Sequence, residues 1–275
     1  MESCDSLMDE KLETERIDIV EWYDFIANLS DVLPGLHLGG KKATKDLLEM
    51  CSLRPETLVL DVGCGSGVTA CEIANVYGSM VTGIDISEVM IIKAKEKAEK
   101  QHLTDKVEFR VADAFNLPFD NNHFDVAIFE SVLTPLPGNK AEALKEVKRV
   151  IRPGGLVGAN ESVFFPSAPI ELFKIADQHP AVHGIFTPQK LRDLFEEVDL
   201  QIIEMSEVRS SEAPSASREM GLFKILSFMI TDYWKVLIKL LTDSRFRKAR
   251  EIDDRITKTI KEHGGYVLIV GQKPQ

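Results

Sequence analysis

Hydrophobic positions along the chain form short apolar runs that alternate with longer amphipathic stretches. From Thr57 onward, runs of strand length are read at Leu58 to Val62, Met80 to Asp85, Val107 to Ala112, Phe124 to Phe129 and Leu156 to Asn160. Helical spacing fills the intervals near Val68 to Tyr77, Ser87 to His102 and Asn139 to Ile151, where Leu144, Val147 and Ile151 share a face. This alternation predicts an α/β fold, a mostly parallel sheet with helices on both faces.

Before the first strand, Ile17, Val20, Trp22, Tyr23, Phe25, Ile26 and Leu29 give a broad apolar helical face. Pro34-Gly35 and Gly39-Gly40 break it ahead of a second helix around Ala43 to Cys51, and both helices are placed to cover the ligand edge of the sheet. After the fifth strand, a Pro-containing stretch from Phe164 to Phe186 leads to a helix with Thr187 as N-cap and Pro188 at its first position. Its buried stripe is Leu191, Leu194, Phe195 and Val198, and a sixth strand, Leu200 to Val208, follows. The seventh, Tyr266 to Val270, comes after a long insertion, Arg209 to Gly265, with a strong helical pattern from Gly221 to Leu241.

Composition narrows the function. The 275 residues, 44% hydrophobic and 28% charged, suit one globular domain with insertions. A formal charge of −11 opposes a nucleic-acid partner, whose phosphates are neutralised by Lys and Arg. The basic cluster Arg245, Arg247, Lys248 and Arg250 is interleaved with Asp243, Glu251, Asp253 and Asp254 and reads as a solvated helix face. The cysteines, Cys4, Cys51, Cys64 and Cys71, form no C-x-x-C pair, and the acidic N-terminus has no targeting pattern, so a cytoplasmic protein with reduced thiols is expected.

Candidate chemistry sits at the first strand. Leu58 to Gly67 is an apolar strand ending in Asp61 and running into Gly63, Cys64, Gly65, Ser66 and Gly67. Alternating glycines let the backbone turn tightly against a ligand and aim helix N-terminal N–H groups at it. A dinucleotide site wants G-x-G-x-x-G; here the third glycine falls one residue early, at Gly67, which disfavours a nicotinamide-dependent oxidoreductase. The second strand ends in Asp85, where an acid can hold a ribose diol, a feature shared with dinucleotide enzymes.

With these motifs in order, the segment Leu58 to Val208 resembles the core of class I S-adenosylmethionine-dependent methyltransferases of the small-molecule group, similar to the ubiquinone and menaquinone methyltransferases. The resemblance implies a Rossmann-like seven-stranded sheet, S-adenosyl-L-methionine as cofactor and S-adenosyl-L-homocysteine as product. It implies that Asp61, Gly63, Gly65 and Gly67 border the methionine end, with Cys64 in the same cofactor loop, that Asp85 grips the ribose, and that Ile86 packs on the adenine. Asp113-Ala114 would meet the adenine amino group. Leu117-Pro118-Phe119, Phe124-Asp125 and the Arg152-Pro153-Gly154-Gly155 turn match the family as fold features. Tyr23 is either within reach of the methionine carboxylate or buried in its helix's own apolar face. The whole chain, 1–275, then reads as a single methyltransferase domain: helical cover 1–52, cofactor core 57–208, helical cap 209–265, final strand and tail 266–275.

Methyl transfer from a sulfonium is an in-line displacement, served largely by alignment and water exclusion, with a general base optional. Many relatives have a His after strand four, where this chain has Thr134-Pro135; the candidate is instead Glu130, which could polarise an acceptor or balance the sulfonium. His179 and His183, after strand five, are alternative bases. A His, His, Glu metal site with Glu161 is disfavoured because Pro180 interrupts the helix that would align the imidazoles, and no metal is expected. No cysteine follows Cys71, which argues against arsenite as acceptor, and Cys64 reads as a packing residue.

Gly221 to Leu241 holds Lys224, Asp232, Lys235 and Lys239, too many charges for a transmembrane span. Its wide apolar face, with Phe223, Phe228, Met229 and Trp234, packs on the fold's own sheet edge, forms a homodimer contact, or lids a lipophilic acceptor with peripheral membrane contact. The function expected is methyl transfer to a small, partly apolar molecule. The alternative is a catalytically silent cofactor binder, which the absent His leaves open.

Overall fold

A computed structural model describes residues 19–27, 39–176, 182–211 and 233–275. Two helices, α1 (Ile19–Ala27) and α2 (Gly40–Met50), precede a regular alternation: β1 (Leu58–Val62), α3 (Val68–Tyr77), β2 (Met80–Asp85), α4 (Glu88–Lys100) and β3 (Val107–Val111). There follow β4 (Phe124–Glu130), α5 (Lys140–Val150), β5 (Ile151–Phe164), α6 (Ile170–Ala176), α7 (Pro188–Glu197) and β6 (Gln201–Arg209). The chain closes with α8 (Tyr233–Thr242), α9 (Ser244–His263) and β7 (Gly264–Gln272).

The strands form one seven-stranded sheet in the order β3-β2-β1-β4-β5-β7-β6. Pairings from β3 to β5 are parallel; β7 runs antiparallel to both β5 and β6, between which it lies. One face packs Leu144 and Val147 of α5 with Leu191 and Phe195 of α7, and the other packs Leu47 of α2 with Ile73 of α3 and Ala94 of α4. The strand order reverses between β1 and β4. In open α/β sheets the crevice beyond the carboxyl ends of such a pair is where ligands bind.

Local signals act as their chemistry requires. Ser87, Asn139 and Thr187 lie one residue outside α4, α5 and α7 and accept hydrogen bonds from the backbone N–H of Met90, Ala141 and Lys190. The Arg152-Pro153-Gly154-Gly155 turn differs from expectation: it lies inside β5, which starts at Ile151 rather than Leu156. The register against β4 jumps from Phe124↔Ile151 to Val126↔Leu156, so the segment is an irregularity in the ladder.

Of the expected helix Gly221 to Leu241, the part before Tyr233 lies outside the described residues, and the remainder belongs to α8. The basic cluster falls on α9, where Arg245 departs from the expected solvated face. Its guanidinium donates to Asp243 at 2.7 Å and reaches both carboxylate oxygens of Glu21 at 3.3 Å. Among the described residues no helix is long and apolar enough to cross a membrane.

Candidate active site

The crevice at the β1/β4 switch point is built from the glycine loop upward. After β1 the chain turns through Gly63, Gly65 and Gly67, all at positive φ. The Cys64 N–H donates to the Ile84 carbonyl at 2.8 Å, which stitches the loop to β2. A Cβ on Gly63 would lie 2.6 Å from Val132 Cγ2, so only glycine lets this turn approach the strand β4 exit. A Cβ on Gly65 would meet nothing within 4 Å. Glycine there leaves space open on the crevice side.

Carboxylates converge on the loop. Asp85, at the end of β2, accepts the Gly65 N–H on one oxygen and the Ser87 N–H on the other, both at 2.9 Å. Glu130, at the end of β4, accepts hydroxyl hydrogens from Thr44 of α2 at 2.9 Å and Thr69 of α3 at 2.5 Å. Asp61, at the end of β1, is buried, and its Oδ2 has no hydrogen-bond partner. Burial first, then the charges of Glu130 and Asp85, raise the Asp61 carboxyl well above its ordinary value. Asp85 is also raised, by burial, against the lowering effect of its backbone N–H donors.

The remaining expected residues are placed as follows. Cys64 is buried, and burial raises its thiol, so it packs rather than reacts. Ile86 is exposed beyond β2; Asp113 is exposed and accepts the Phe115 N–H at 2.9 Å, with Ala114 buried beside it. Tyr23 is half-buried in α1, among residues packed around Trp22 and Phe246. Burial, then Asp85 and Glu161, push its phenol up. His179 lies outside the described residues. Among those described, no group of three His, Cys, Asp or Glu is arranged to hold a metal.

The turn after β4 is held by a residue whose importance the sequence concealed. Glu161, fully buried on β5, accepts the N–H groups of Val132 and Leu133 at 2.8 Å, the Thr134 N–H at 3.1 Å, and the Thr134 hydroxyl at 2.8 Å. Burial raises its carboxyl despite these donors. Thr134, which with Pro135 occupies the turn where the family resemblance leads one to expect a His, is thus committed to Glu161. The Thr134 carbonyl accepts the His183 N–H at 3.1 Å, which brings His183 to this edge. Lys140 donates to the Leu136 carbonyl at 2.7 Å, and burial pulls its ammonium down to about 8. Thr44, Thr69 and Ser87 also hold site carboxylates or their turns, roles that the sequence does not announce. Of these only Ser87 carried a local signal, its position as a helix N-cap.

A mostly parallel α/β sheet whose switch-point crevice joins a glycine loop to acids on β1, β2 and β4 defines a Rossmann-like protein with a small-ligand crevice. Comparison with known proteins makes this specific. A family profile described as "Methyltransferase domain" matches residues 59–155. An O-methyltransferase of Pyrenophora dematioidea is 30% identical over 65% of this chain and 67% of its own length. The 27-O-demethylrifamycin SV methyltransferase of Amycolatopsis mediterranei is 27% identical over 94% of this chain and 97% of its own. A further relative, 36% identical, is covered over 53% of its length. Among solved structures, the cyclase SpnF superposes with a TM-score of 0.74 at 22% identity, over 94% of this chain and 97% of SpnF, which shows the shared fold.

The chain belongs to the class I S-adenosylmethionine-dependent methyltransferases of the small-molecule group. Its cofactor is S-adenosyl-L-methionine, and the nicotinamide reading is set aside. The residues present fit that group. The orphaned Asp61 Oδ2 is a buried acceptor awaiting a donor, the space before Gly65 is open, and the converging carboxylates suit a ligand bearing an ammonium and a sulfonium.

Proposed function

We propose that this chain transfers a methyl group to a small, partly apolar acceptor by in-line displacement. The observation that carries this reading is the buried Asp61, with an unsatisfied oxygen, beside Asp85 and Glu130 at the switch-point crevice. When bound, S-adenosyl-L-methionine supplies an electrophilic methyl on a sulfonium. Asp61 with the loop Gly63 to Gly67 holds the methionine end, Asp85 the ribose, and Ile86 with Asp113 and Ala114 the adenine. Glu130, held by two threonine hydroxyls, balances the cationic charge from a fixed position instead of shuttling a proton. Tyr23 closes the crevice from α1, and His183, tethered at the β4 exit, is the base where an acceptor needs one.

In this reading residues 57–208 form the cofactor core, while 1–52 and 209–265 cover the acceptor side of a single domain. The covers exclude water and present an apolar surface to the acceptor. Relatives named as an O-methyltransferase and as 27-O-demethylrifamycin SV methyltransferase support an oxygen atom as the acceptor.

Calorimetric titration with S-adenosylmethionine and S-adenosylhomocysteine tests the cofactor assignment. Both are expected to bind, and Asp85→Ala is expected to weaken both at least about tenfold, the loss of charge-assisted hydrogen bonds. A folded protein that binds neither would overturn it. A second reading, a binder that no longer transfers methyl groups, is favoured by the commitment to Glu161 of Thr134, the position where the family resemblance leads one to expect a His base. Transfer of labelled methyl to small molecules of a cell extract separates the two: label in an extractable product supports the enzyme, and binding without transfer supports the silent binder.

A further inference from the structure

Helix α1 makes polar contacts in two directions. Toward the sheet, Asp24 accepts the Ser87 hydroxyl hydrogen at 2.6 Å. Ser87 caps α4 by accepting the Met90 N–H at 3.1 Å, and its own N–H donates to Asp85 at 2.9 Å. Asp85 in turn holds the Gly65 N–H at 2.9 Å. A continuous hydrogen-bonded line therefore runs from α1 through the Ser87 turn to the glycine loop.

Toward the other side, Glu21 accepts from Lys239 of α8 at 2.7 Å and from Arg245 of α9 at 3.3 Å. Trp22 stacks on Phe246 of α9 with ring centroids 5.9 Å apart, and Phe25 meets the same ring edge-on at 4.7 Å. This aromatic cluster is separate from the two cores that clamp the sheet. The described cap helices thus grip α1 through contacts that the sheet packing does not duplicate, and α1 meets the cofactor-side turn through Asp24.

We propose that Asp24 and Glu21 are positioning residues that make α1 a strap, so that filling the Asp85 side of the crevice and seating α8 and α9 over it are one coupled event. The inference rests on the cofactor assignment proposed above. A ligand held by Asp85 fixes the turn that presents the Ser87 hydroxyl. The fixed turn holds Asp24, and α1 then offers Glu21 and Trp22 to the cap in a defined place. Coupling of this kind is reciprocal: a seated cap must tighten cofactor binding by the same factor that the cofactor stabilises the cap. The polar links are individually modest because they are partly solvated, so removing one is expected to change the coupling about fivefold.

Hydrogen-exchange mass spectrometry on the full chain, with and without S-adenosylhomocysteine, tests the strap. Wild type is expected to bind the ligand and to show slower exchange in α1, α8 and the first half of α9. In Glu21→Gln and Asp24→Ala the ligand is still expected to bind, with the slowing in α8 and α9 reduced about fivefold or lost. Fluorescence of Trp22 in a Trp234→Phe background gives a second readout of the Trp22 and Phe246 stack. Ligand binding with equal protection of the cap in wild type and both single variants would overturn the strap, as would binding without cap protection in wild type. Absence of any ligand binding would overturn the cofactor assignment itself, and the strap with it.

Discussion

At the scale of single residues, Asp61 carries the most consequence. Its carboxyl is raised by burial, then by Glu130 and Asp85, so the ligand-free folded chain holds this proton more tightly than the unfolded chain. A raised pKa contributes stability that is present below the unfolded value and lost as pH rises through the folded one. A cation docked beside Asp61 reverses the shift and expels the proton. Binding of S-adenosylmethionine is therefore expected to release protons at pH values above the ordinary carboxylate range and below the raised one. Titrations in buffers of different ionisation enthalpy would show it, and S-adenosylhomocysteine, lacking the sulfonium charge, should release fewer. Equal heats in every buffer for both ligands would remove Asp61 from the site. Asp61 and Asp85 were legible in the sequence because each ends an apolar strand. Glu161 was not, because its partners lie 27 to 29 residues earlier in the chain and a lone acid in an apolar run has no period to read.

At the scale of elements, two connections carry the site. In the glycine loop, Gly63→Ala would drive its methyl to within 2.6 Å of Val132 Cγ2 at a φ of 66°. A stability loss of about 1–3 kcal/mol is expected from overpacking and the left-handed backbone. Gly65→Ala meets open space, so its stability cost should stay near about 1 kcal/mol, while the new methyl stands where the ligand must approach. Denaturant melts paired with calorimetry distinguish the two, and a ranking in which Gly65→Ala binds normally would mean that the open space is not the ligand's. In the β4 to α5 connection, Glu161→Gln sets an amide nitrogen against a ring of N–H and O–H donors. Unsatisfied buried donors cost about 1–3 kcal/mol, and the midpoint of unfolding should fall accordingly. Because Glu161 serves the turn and not the glycine loop, affinity for S-adenosylhomocysteine should change little; a large loss would assign Glu161 to the cofactor instead. The glycine loop was legible from its spacing alone. The turn was not, because Thr134 and Pro135 show a missing histidine without showing what replaces it.

At the scale of the whole molecule, the parallel half of the sheet follows from alternating apolar runs, since each crossover helix returns the chain to the same edge. The position of β7 does not follow from that rule. It enters between β5 and β6 directly out of α9, and its antiparallel direction is set by where that helix ends, which no periodicity in the strand encodes. Its first eight residues, Gly264 to Gly271, are buried, and its backbone pairs on both sides, so the strand is an interior strand that joins β6 to the rest of the sheet. Ending the chain after His263 would leave one edge of β5 and one edge of β6 without partners, together with the apolar surface that Val267 and Ile269 cover on one face and Tyr266 and Leu268 on the other. The loss of several such side chains, at about 2–5 kcal/mol each for large-to-small replacements alone, exceeds the stability of an ordinary domain. The shortened chain is therefore expected to lose its cooperative unfolding transition and its affinity for S-adenosylhomocysteine together, measured by denaturant titration and calorimetry. A cooperative transition that survives with ligand binding intact would mean that β1 to β5 and their helices form a sufficient core, and that β7 serves only to hang the cap helices over the crevice.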